Sequence, residues 1–382
     1  MIKKRGPIIV LILGVFFLTQ NLESTWTFKR LTWTSGRSFT PAIARDSNNH
    51  IHLVWQEESP GNEEIFYKQS TDGGTHWSAR KRLTWNSGLS LRPSIALDSN
   101  NHIHVVWQDD TPGNNEIFYK QSTDGGANWS QNRLTWNSGN SSWPAIAVDS
   151  NNHIHVVWQD KSPGNNDNEI FYKQSTDEGL NWTTKRLTWT AGFSSYPVIA
   201  SDSNNHLHVV WCEDPTFYHY EIYYKRSTDK GENWTTKRLT WFSGDSYEPA
   251  IAVDSNNHLH VVWYDRKTYI GNYEIYYKQS TDSGENWVSK RLTWTASESS
   301  EPAITVDSNN HVHVIWSDGA GFPEIFYKQS TDNGANWSRE RLTWNPGASY
   351  SPAIVSDTNN HIHVVWNDTT PGNAEIFYKK KD

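Results

Sequence analysis

STDGGANW, residues 122–129, is one of six near-copies of an octapeptide that keeps Ser, Asp, Gly and Trp at fixed places. The other copies are STDGGTHW (70–77), STDEGLNW (175–182), STDKGENW (227–234), STDSGENW (280–287) and STDNGANW (330–337). Ser and Asp side chains accept hydrogen bonds from turn amides, Gly permits a backbone conformation that is costly for other residues, and Trp can anchor a hairpin. The octapeptide therefore predicts a tight turn between two β-strands.

The octapeptide belongs to a longer unit that occurs seven times. Each unit contains the phrase RLTW, which begins at intervals of 50–53 residues at Arg30, Arg82, Arg133, Arg186, Arg238, Arg291 and Arg341. A Gly/Ser loop, a proline and strands such as PAIAVDS, HIHVVWQD and EIFYKQS complete the unit. Four short strands at this period are typical of a propeller blade. The fold class predicted is all-β, a single seven-bladed β-propeller of four-stranded blades, with strand A at the channel and strand D outermost.

The last unit is incomplete, because it lacks both the octapeptide and strand D. The missing strand stands near the other end of the chain as WTFKRLTW, residues Trp26–Trp33. We expect it to pair with Glu375–Lys379, complete blade 7 and close the ring, which removes the exposed edges of an open array. Trp26 is then the remnant of a seventh octapeptide, and the propeller domain spans residues 24–382.

The N-terminus predicts export. In MIKKRGPIIVLILGVFFLTQ three basic residues precede an apolar run from Pro7 to Leu18, which is short for a membrane span and typical of a secretion signal. We expect residues 1–23 to be a signal peptide or N-terminal anchor, and the protein to be secreted or at the cell surface. A membrane contact is expected only through this segment, if it is uncleaved. The net charge of −8 argues against a nucleic-acid partner.

The pattern Ser-x-Asp-x-Gly-x-x-Trp resembles the Asp-box, or BNR, repeat of the sialidase-like β-propeller superfamily. The resemblance covers about residues 24–382 and implies that the boxes lie on the face opposite the ligand-binding side. Six equivalent Asp residues cannot all form one catalytic centre, so we interpret the boxes as structural. The box positions are Ser70, Asp72, Gly74, Trp77, Ser122, Asp124, Gly126, Trp129, Ser175, Asp177, Gly179, Trp182, Ser227, Asp229, Gly231, Trp234, Ser280, Asp282, Gly284, Trp287, Ser330, Asp332, Gly334 and Trp337.

Two other repeated groups have chemical potential. His-x-His pairs such as His50/His52 account for 14 of the 16 histidines. They could chelate a metal, but each lacks a third ligand, so we expect them between blades, bonded to the backbone or to the Asp of the adjoining turn. Each blade also carries two acids, such as Glu57 and Glu64, and we expect the second to pair with the Arg of RLTW. No metal site is predicted from either group.

Sialidase activity, the best-known activity of the family, implies three arginines on the substrate carboxylate, a Tyr activated by a Glu, an acid/base Asp and an Arg-Ile-Pro segment. Only Arg92, in LRP, precedes a proline here. Arg37 and Arg266, the other arginines of the upper loops, belong to different blades. The sequence does not show the three arginines that a sialidase needs, and it therefore favours a protein without enzymatic activity.

A unique site should appear where the repeats deviate. Aromatic residues outside the repeat pattern are concentrated in the upper loops of blades 3 to 5 and predict a patch that binds a glycan or a surface protein. The candidates are Trp143, Phe193, Tyr196, Phe217, Tyr218, Tyr220, Tyr247, Tyr269 and Tyr273.

Blades 5 and 6 place acids near the predicted channel mouth, namely Asp245, Glu248, Glu298 and Glu301. Glu248, Glu298 and Glu301 are the candidate catalytic acids of a glycosidase, and the same cluster is the one place where Ca²⁺ could bind. No other cofactor is predicted.

The sequence therefore favours an exported β-propeller that binds carbohydrate or protein through the face opposite the boxes. A sialidase-like exo-glycosidase is the first alternative, and a structural scaffold or self-assembling surface protein is the second.

Overall fold

The computed structural model describes residues 26–59, 61–161, 167–215, 219–241, 244–266 and 271–382. These ranges form 28 β-strands arranged in seven four-stranded antiparallel sheets. The prediction of a seven-bladed propeller is confirmed. The predicted leader, residues 1–23, lies outside the described residues. Nowhere in the described ranges is there a helix with the length and apolar character that a membrane crossing requires.

The four strand positions recur in every blade. Strands A are β2 (Ser38–Arg45), β6 (Ser90–Leu97), β10 (Ser141–Val148), β14 (Phe193–Ser201), β18 (Ser246–Val253), β22 (Ser299–Val306) and β26 (Ser349–Ser356). Strands B are β3 (Ile51–Ser59), β7 (Ile103–Asp109), β11 (Ile154–Asp160), β15 (Leu207–Asp214), β19 (Leu259–Asp265), β23 (Val312–Asp318) and β27 (Ile362–Asp368). Strands C are β4 (Asn62–Ser70), β8 (Glu116–Ser122), β12 (Glu169–Ser175), β16 (Glu221–Ser227), β20 (Glu274–Ser280), β24 (Glu324–Ser330) and β28 (Glu375–Lys381). Strands D are β5 (Lys81–Arg82), β9 (Ser130–Arg133), β13 (Thr183–Arg186), β17 (Thr235–Arg238), β21 (Val288–Arg291), β25 (Ser338–Arg341) and β1 (Trp26–Arg30).

The N-terminal strand closes the ring. β1 pairs antiparallel with β28, with Trp26 opposite Lys381 and Arg30 opposite Phe377. The sheet of blade 7 therefore has the order β1-β28-β27-β26, as the incomplete last unit predicts. β28 extends to Lys381, two residues beyond the expected end of the pairing.

The apolar core is divided among the interfaces between blades. One cluster joins Val54, Ile65 and Tyr67 of blade 1 to Val105 and Trp107 of blade 2. Six further clusters of buried residues have the same plan around the described ring. Strand B is buried along most of its length in the blades, as in β7 and β11, because its two faces are covered by the blades on either side. Each blade thus depends on both neighbours for its core.

The Asp-boxes are part of these interfaces. Ser122 Oγ accepts the Gly126 amide (2.8 Å), and Asp124 Oδ1 accepts the Asn128 amide (2.8 Å). Hydrogen bonds to Asp124 from the amide and side chain of Asn128 and from the Ser122 hydroxyl hold its pKa down at about 2, well below its usual range. The Trp129 ring packs edge-on against Tyr67 of the preceding blade, with centroids 5.3 Å apart. Gly126 (φ +89°) is required there, since a Cβ would lie 2.7 Å from the same Tyr67 ring.

Histidine links the box contact to the turn between strands A and B. The Nδ1 atom of His52 lies 2.8 Å from the Tyr67 hydroxyl, and that of His50 lies 2.8 Å from Asp46 Oδ2. The first histidine of each pair is thus bonded to the turn aspartate, and the second is buried against the tyrosine. Among the described residues there is no group of three or more His, Cys, Asp or Glu side chains placed to hold a metal ion.

A closed circle of hydrogen bonds joins the A–B turns. Ser47 donates its hydroxyl to Asn101 Oδ1 of the next blade (2.8 Å), and Ser99 does the same to Asn152 (2.8 Å). The series continues around the axis until Thr358 of blade 7 donates to Asn49 of blade 1 (2.9 Å). We call the end of the blades that carries these turns and the boxes the lower face, and the opposite end the upper face.

Trp26 should stabilise the ring out of proportion to its position near the chain end. Its ring lies edge-on against Tyr327 of blade 6, with centroids 5.4 Å apart, as the box tryptophans lie on theirs. We expect Trp26→Ala to lower the free energy of unfolding by roughly 1–3 kcal/mol, because both ring burial and the aromatic pair are lost. Urea denaturation measures this, with the exposed neighbour Thr27→Ala as control. Equal effects of the two substitutions would show that the contact contributes nothing.

Candidate binding site at the channel mouth

Every strand A is interrupted by a β-bulge just before its proline. In β10 the pairing with β11 shifts register between Ser142 and Ala145, which leaves Trp143 and Pro144 out of the ladder. The residue before the proline has a positive φ of 43–55° in all seven blades; these residues are Thr40, Arg92, Trp143, Tyr196, Glu248, Glu301 and Ser351. Non-glycine residues seldom adopt this region, and bulges of this kind turn a side chain away from the sheet. The seven side chains consequently converge on the axis.

Hydrogen bonds from the preceding blade support this unusual backbone. Gln56 Oε1 of blade 1 accepts the Arg92 amide (2.9 Å), and Gln108 accepts the Trp143 amide (3.1 Å). Gln159 accepts the Tyr196 amide in the same way (3.1 Å). In blade 4 the glutamine is replaced by Cys212, whose buried sulfur takes the Glu248 amide. In blades 1 to 3 a glutamine therefore orients the channel residue of the next blade.

The converging residues and their prolines line a cavity of about 380 Å³ at the upper mouth of the channel. Going round the ring from blade 2 to blade 6, the wall is formed by Arg92, Trp143, Tyr196, Glu248 and Glu301. Thr40 and Ser351 complete the circle on the remaining side. Positions that are equivalent in the repeat thus present a cation, two aromatic rings and two carboxyl groups to one space.

The cationic and aromatic side chains form a continuous stack. The guanidinium carbon of Arg92 lies 3.3 Å from the centroid of the Trp143 ring. The Trp143 and Tyr196 rings meet edge-on, with centroids 4.3 Å apart and an interplanar angle of 71°. Cation–π and edge-to-face contacts of this kind hold side chains in fixed orientations. One side of the cavity is therefore a preorganised wall with an apolar surface and a charged end.

The two carboxyl groups of the cavity differ in their surroundings. Burial raises the pKa of Glu248 to about 7; the charge of nearby Glu301 adds to the rise, and Arg92 opposes it. Glu301 Oε2 accepts hydrogen bonds from the Ser351 amide (2.7 Å) and the Ser317 hydroxyl (3.2 Å). These donors fix Glu301 as an acceptor, whereas Glu248 can gain or lose a proton near neutral pH.

The predicted aromatic patch divides into two groups. Trp143 and Tyr196 line the cavity, whereas Tyr220, Tyr247 and Tyr273 do not. Tyr247 lies between the other two, with ring centroids 4.9 Å from Tyr220 and 6.3 Å from Tyr273, beside blades 4 and 5. Phe193, at the start of β14, is also absent from the cavity wall. Phe217, Tyr218 and Tyr269 lie outside the described residues.

The predicted acidic cluster divides as well. Glu248 and Glu301 line the cavity, but Glu298 is exposed on the loop before β22 and takes no part in its wall. Asp245 is also outside the cavity and forms an ion pair with Arg266 (2.9 Å). Arg37 pairs with Glu58 at the rim (3.0 Å). The four acids are thus divided between the cavity and the loops beside it, and Ca²⁺ binding by this cluster stays a prediction.

Sequence reasoning missed that Arg92, Tyr196 and Glu248 share one cavity, because they belong to three different blades. The signal that could have found them is the residue before each proline, which reads Thr, Arg, Trp, Tyr, Glu, Glu and Ser in the seven units. An all-β ring brings equivalent positions to the same height on the axis, so a variable position on strand A marks the channel wall.

A closed ring of seven blades, with Asp-boxes on the lower face and this cavity on the upper face, defines a sialidase-like β-propeller. Residues 15–194 match the family described as BNR repeat-like domain, and the same repeat unit continues to the end of the ring. This match, together with the fold, confirms the predicted resemblance to the BNR-repeat β-propellers of the sialidase-like superfamily. No curated protein matches its sequence.

Solved structures share the fold at low sequence identity. An ulvan lyase of polysaccharide lyase family 25 has a TM-score of 0.63 and 10% identity, covering 92% of this chain and 95% of its own. A mutant of the Fusarium graminearum α-L-arabinofuranosidase has a TM-score of 0.59 and 12% identity, covering 90% and 92%. The NanB sialidase of Streptococcus pneumoniae has a TM-score of 0.54 and 13% identity, covering 93% and 70%.

We expect Glu248 to titrate near pH 7, and its two charged neighbours to shift its pKa in opposite directions. Glu301→Gln should lower the pKa of Glu248, because a negative charge is removed, and Arg92→Met should raise it, because a positive charge is removed. Carbon-13 NMR of the labelled glutamate carboxyl groups measures all three values, with Glu298→Gln as the control that leaves Glu248 unchanged. A Glu248 pKa near 4.5 in the intact protein would contradict the burial of this group.

The raised pKa of Glu248 should also make the stability of the protein depend on pH. A folded-state pKa above the ordinary 4.5 means that the native protein holds the proton more tightly than the unfolded chain does. The free energy of unfolding of the wild type, relative to Glu248→Gln, should therefore fall as the pH rises from about 4.5 to 7 and stay level outside this window.

Proposed function

We propose that the protein is an exported carbohydrate-binding propeller that takes a sugar unit in the cavity at the upper channel mouth. The observation that carries this proposal is the stack of Arg92, Trp143 and Tyr196 opposite the carboxyl groups of Glu248 and Glu301. Small-molecule sites are concave, with apolar walls and a few converging polar groups. The cavity fits this description.

The wall suits the two kinds of surface that a sugar offers. The C–H face of a pyranose or furanose ring packs on an aromatic side chain, and its hydroxyl groups exchange hydrogen bonds with charged groups. Trp143 and Tyr196 provide the aromatic surface, while Glu301 accepts and Arg92 donates hydrogen bonds. A guanidinium group also favours a ligand that carries a carboxylate, because it can bind both oxygens.

The structural neighbours support carbohydrate as the ligand class. They are an arabinofuranosidase, a sialidase and a lyase bound to a saccharide containing glucuronic acid and sulfated rhamnose. At 10–13% identity these neighbours share only the fold, so the ligand class is inferred from the cavity, and the neighbours are consistent with it. The predicted leader places the function outside the cytoplasm in this proposal.

Trp143→Ala should weaken glycan binding, because it removes both the stacking surface and the support of Arg92. We expect an affinity loss of roughly 10-fold to 200-fold, from the loss of stacking and of the cation–π contact. A glycan array identifies a ligand for the wild type, and isothermal titration calorimetry then compares the variants. Tyr350→Ala, an aromatic residue of the upper face outside the cavity, is the matched control. Unchanged affinity in Trp143→Ala would reject the cavity as the site.

Cleavage of a glycoside is a second candidate, favoured by the raised pKa of Glu248 and by the hydrogen bonds that hold Glu301 in the same cavity. A carboxylic acid with a pKa near 7 can donate a proton to a leaving group, and a fixed carboxylate beside it can act as base or nucleophile. Tyr196, whose pKa burial raises, is a neutral hydrogen-bond donor next to Glu248.

If the protein is an enzyme, Glu248→Gln should lower the turnover rate by at least about 100-fold, since the amide cannot donate the proton. Glycan binding should be retained. Fluorogenic glycosides of several sugars, with sialosides, arabinosides and uronides included, provide the assay. Glu298→Gln should keep full activity. If Glu248→Gln retains turnover, another residue is the catalytic acid. If the wild type binds glycans without turnover, the protein is a binding module and not a glycosidase.

A further inference from the structure

We propose that the seven grooves between neighbouring blades form a ring of equivalent binding sites for a repetitive acidic polysaccharide. Each site is built on the tryptophan of RLTW in one blade and a lysine of strand C in the next. This surface lies on the outer flank of the propeller, beyond strand D. It is separate from the channel cavity and does not depend on the function proposed for that cavity.

The tryptophans of RLTW are exposed in every blade. Their exposed fractions are between 65% and 69% for Trp33, Trp85, Trp136, Trp189, Trp241, Trp294 and Trp344. The seven tryptophans of strand B are by contrast fully buried. A single exposed aromatic residue is ordinary, but seven in the same setting form a repeated apolar surface, and such surfaces mark interaction sites.

The exposed rings are held in place by a rigid turn. In blade 1 the Thr84 hydroxyl accepts the Ile65 amide (2.8 Å), and Arg82 Nε donates to the Thr84 carbonyl (2.6 Å). Leu83 between them is buried in the core. The backbone on the N-terminal side of Trp85 is therefore fixed, and the indole that projects from it is 67% exposed. Binding to a platform of this kind costs little conformational entropy.

Cations surround each exposed ring. The guanidinium of the preceding arginine lies over it at 5.5–5.9 Å from the centroid in all seven blades. The ammonium of the next blade's lysine lies 5.5–5.8 Å from the same ring in four grooves, formed by Trp85, Trp241, Trp294 and Trp344. In the groove between blades 3 and 4, Trp189, Lys185 and Lys225 border a space of about 420 Å³.

The positive charge of the grooves is balanced in part, because Lys185 pairs with Glu232 (2.7 Å) and Lys237 pairs with Glu285 (2.7 Å). Several strand C lysines donate to main-chain carbonyls instead, as Lys68 does to Leu31 (2.6 Å), and supply the charge that an anion would meet. Arg82 is balanced by Glu64, at 2.7 Å. Lys81 donates instead to the Gly126 carbonyl (2.9 Å), and Lys120 lies beside the Trp85 ring. Burial lowers the pKa of the strand C lysine in every blade, and a bound anion would counter this; the lysines are Lys68, Lys120, Lys173, Lys225, Lys278, Lys328 and Lys379.

The repetition of the sites indicates the kind of ligand. An indole face suits a sugar ring, and the lysine beside it suits a carboxylate or sulfate group on that sugar. One such site binds weakly, but a polymer that repeats the same unit can occupy several grooves at once and gains affinity through effective concentration. A repetitive acidic polysaccharide matches all three properties.

The test compares the full chain with two variants on surfaces coated with dextran sulfate, polygalacturonate and unmodified dextran. One variant carries Trp85→Ala, Trp189→Ala and Trp294→Ala; the other replaces all seven exposed tryptophans. We expect the wild type to bind at least one acidic polymer and not dextran, with affinity lowered about 10-fold in the first variant and more than about 100-fold in the second. Phe322→Ala, which removes an aromatic residue 68% exposed in an upper loop, should change nothing.

Thermal unfolding identifies any variant that has lost its fold, and the threefold variant keeps the test valid if the sevenfold one does not fold. Trp143→Ala should bind the polymers normally, which separates this proposal from the channel site. A preference for dextran sulfate would indicate that the grooves recognise sulfate, and a preference for polygalacturonate would indicate that they recognise carboxylate. The proposal is overturned if the folded threefold variant binds like the wild type, if dextran binds equally well, or if no acidic polymer binds. The proposal is also overturned if the wild type binds no acidic polymer and the threefold variant loses binding to anionic vesicles or loses self-association. The tryptophans would then bind a membrane or a second copy of the chain.

Discussion

The structure depends on packing between blades, because no blade has a core of its own. Burial of apolar area is the main favourable term in folding, and in this chain it is obtained only when two sheets face each other. Trp107 of blade 2 is buried against blade 1, and Tyr67 of blade 1 is in turn covered by Trp129 from the box of blade 2. An open array would leave one such face uncovered at each end. Pairing of β1 with β28 brings the last two faces together, so every other contact relies on this closure.

Closure also explains why a strained backbone is tolerated at the axis. Seven non-glycine residues with φ between 43° and 55° would each cost on the order of 1–3 kcal/mol in isolation. The amides of Arg92 and Trp143 are taken by glutamines of the preceding blade, and rigid sheets on both sides leave these residues no alternative conformation. Strain of this kind is common where side chains must be aimed at a ligand. The cavity is therefore preorganised by the ring itself.

The fold could be predicted from the sequence because its signals are local and repeated. Six copies of one octapeptide, a period of 50–53 residues and the displaced strand at Trp26 specify the blades, their number and the closure. The site could be predicted only in part. Trp143, Tyr196, Glu248 and Glu301 stood out as departures from the repeat, but so did Glu298 and Tyr273, which lie elsewhere. What sequence could not supply was the bulge, since its positive φ comes from contacts between blades. The sequence did not mark the exposed tryptophans of RLTW as candidate binding residues. They are identical in every unit, and residues repeated in this way are interpreted as structural.

The bulge before each proline separates the chemistry of the channel from the architecture of the blade. In blades 2 to 4 the backbone of this residue is held through its amide by a glutamine of the preceding blade, and its side chain lines the channel mouth. Threonine, arginine, tryptophan, tyrosine, glutamate and serine all occupy it within one ring. Six types of side chain therefore fit this position within one fold. Duplication of a stable unit followed by change at one codon per copy would thus suffice to give a ring of identical blades an asymmetric interior.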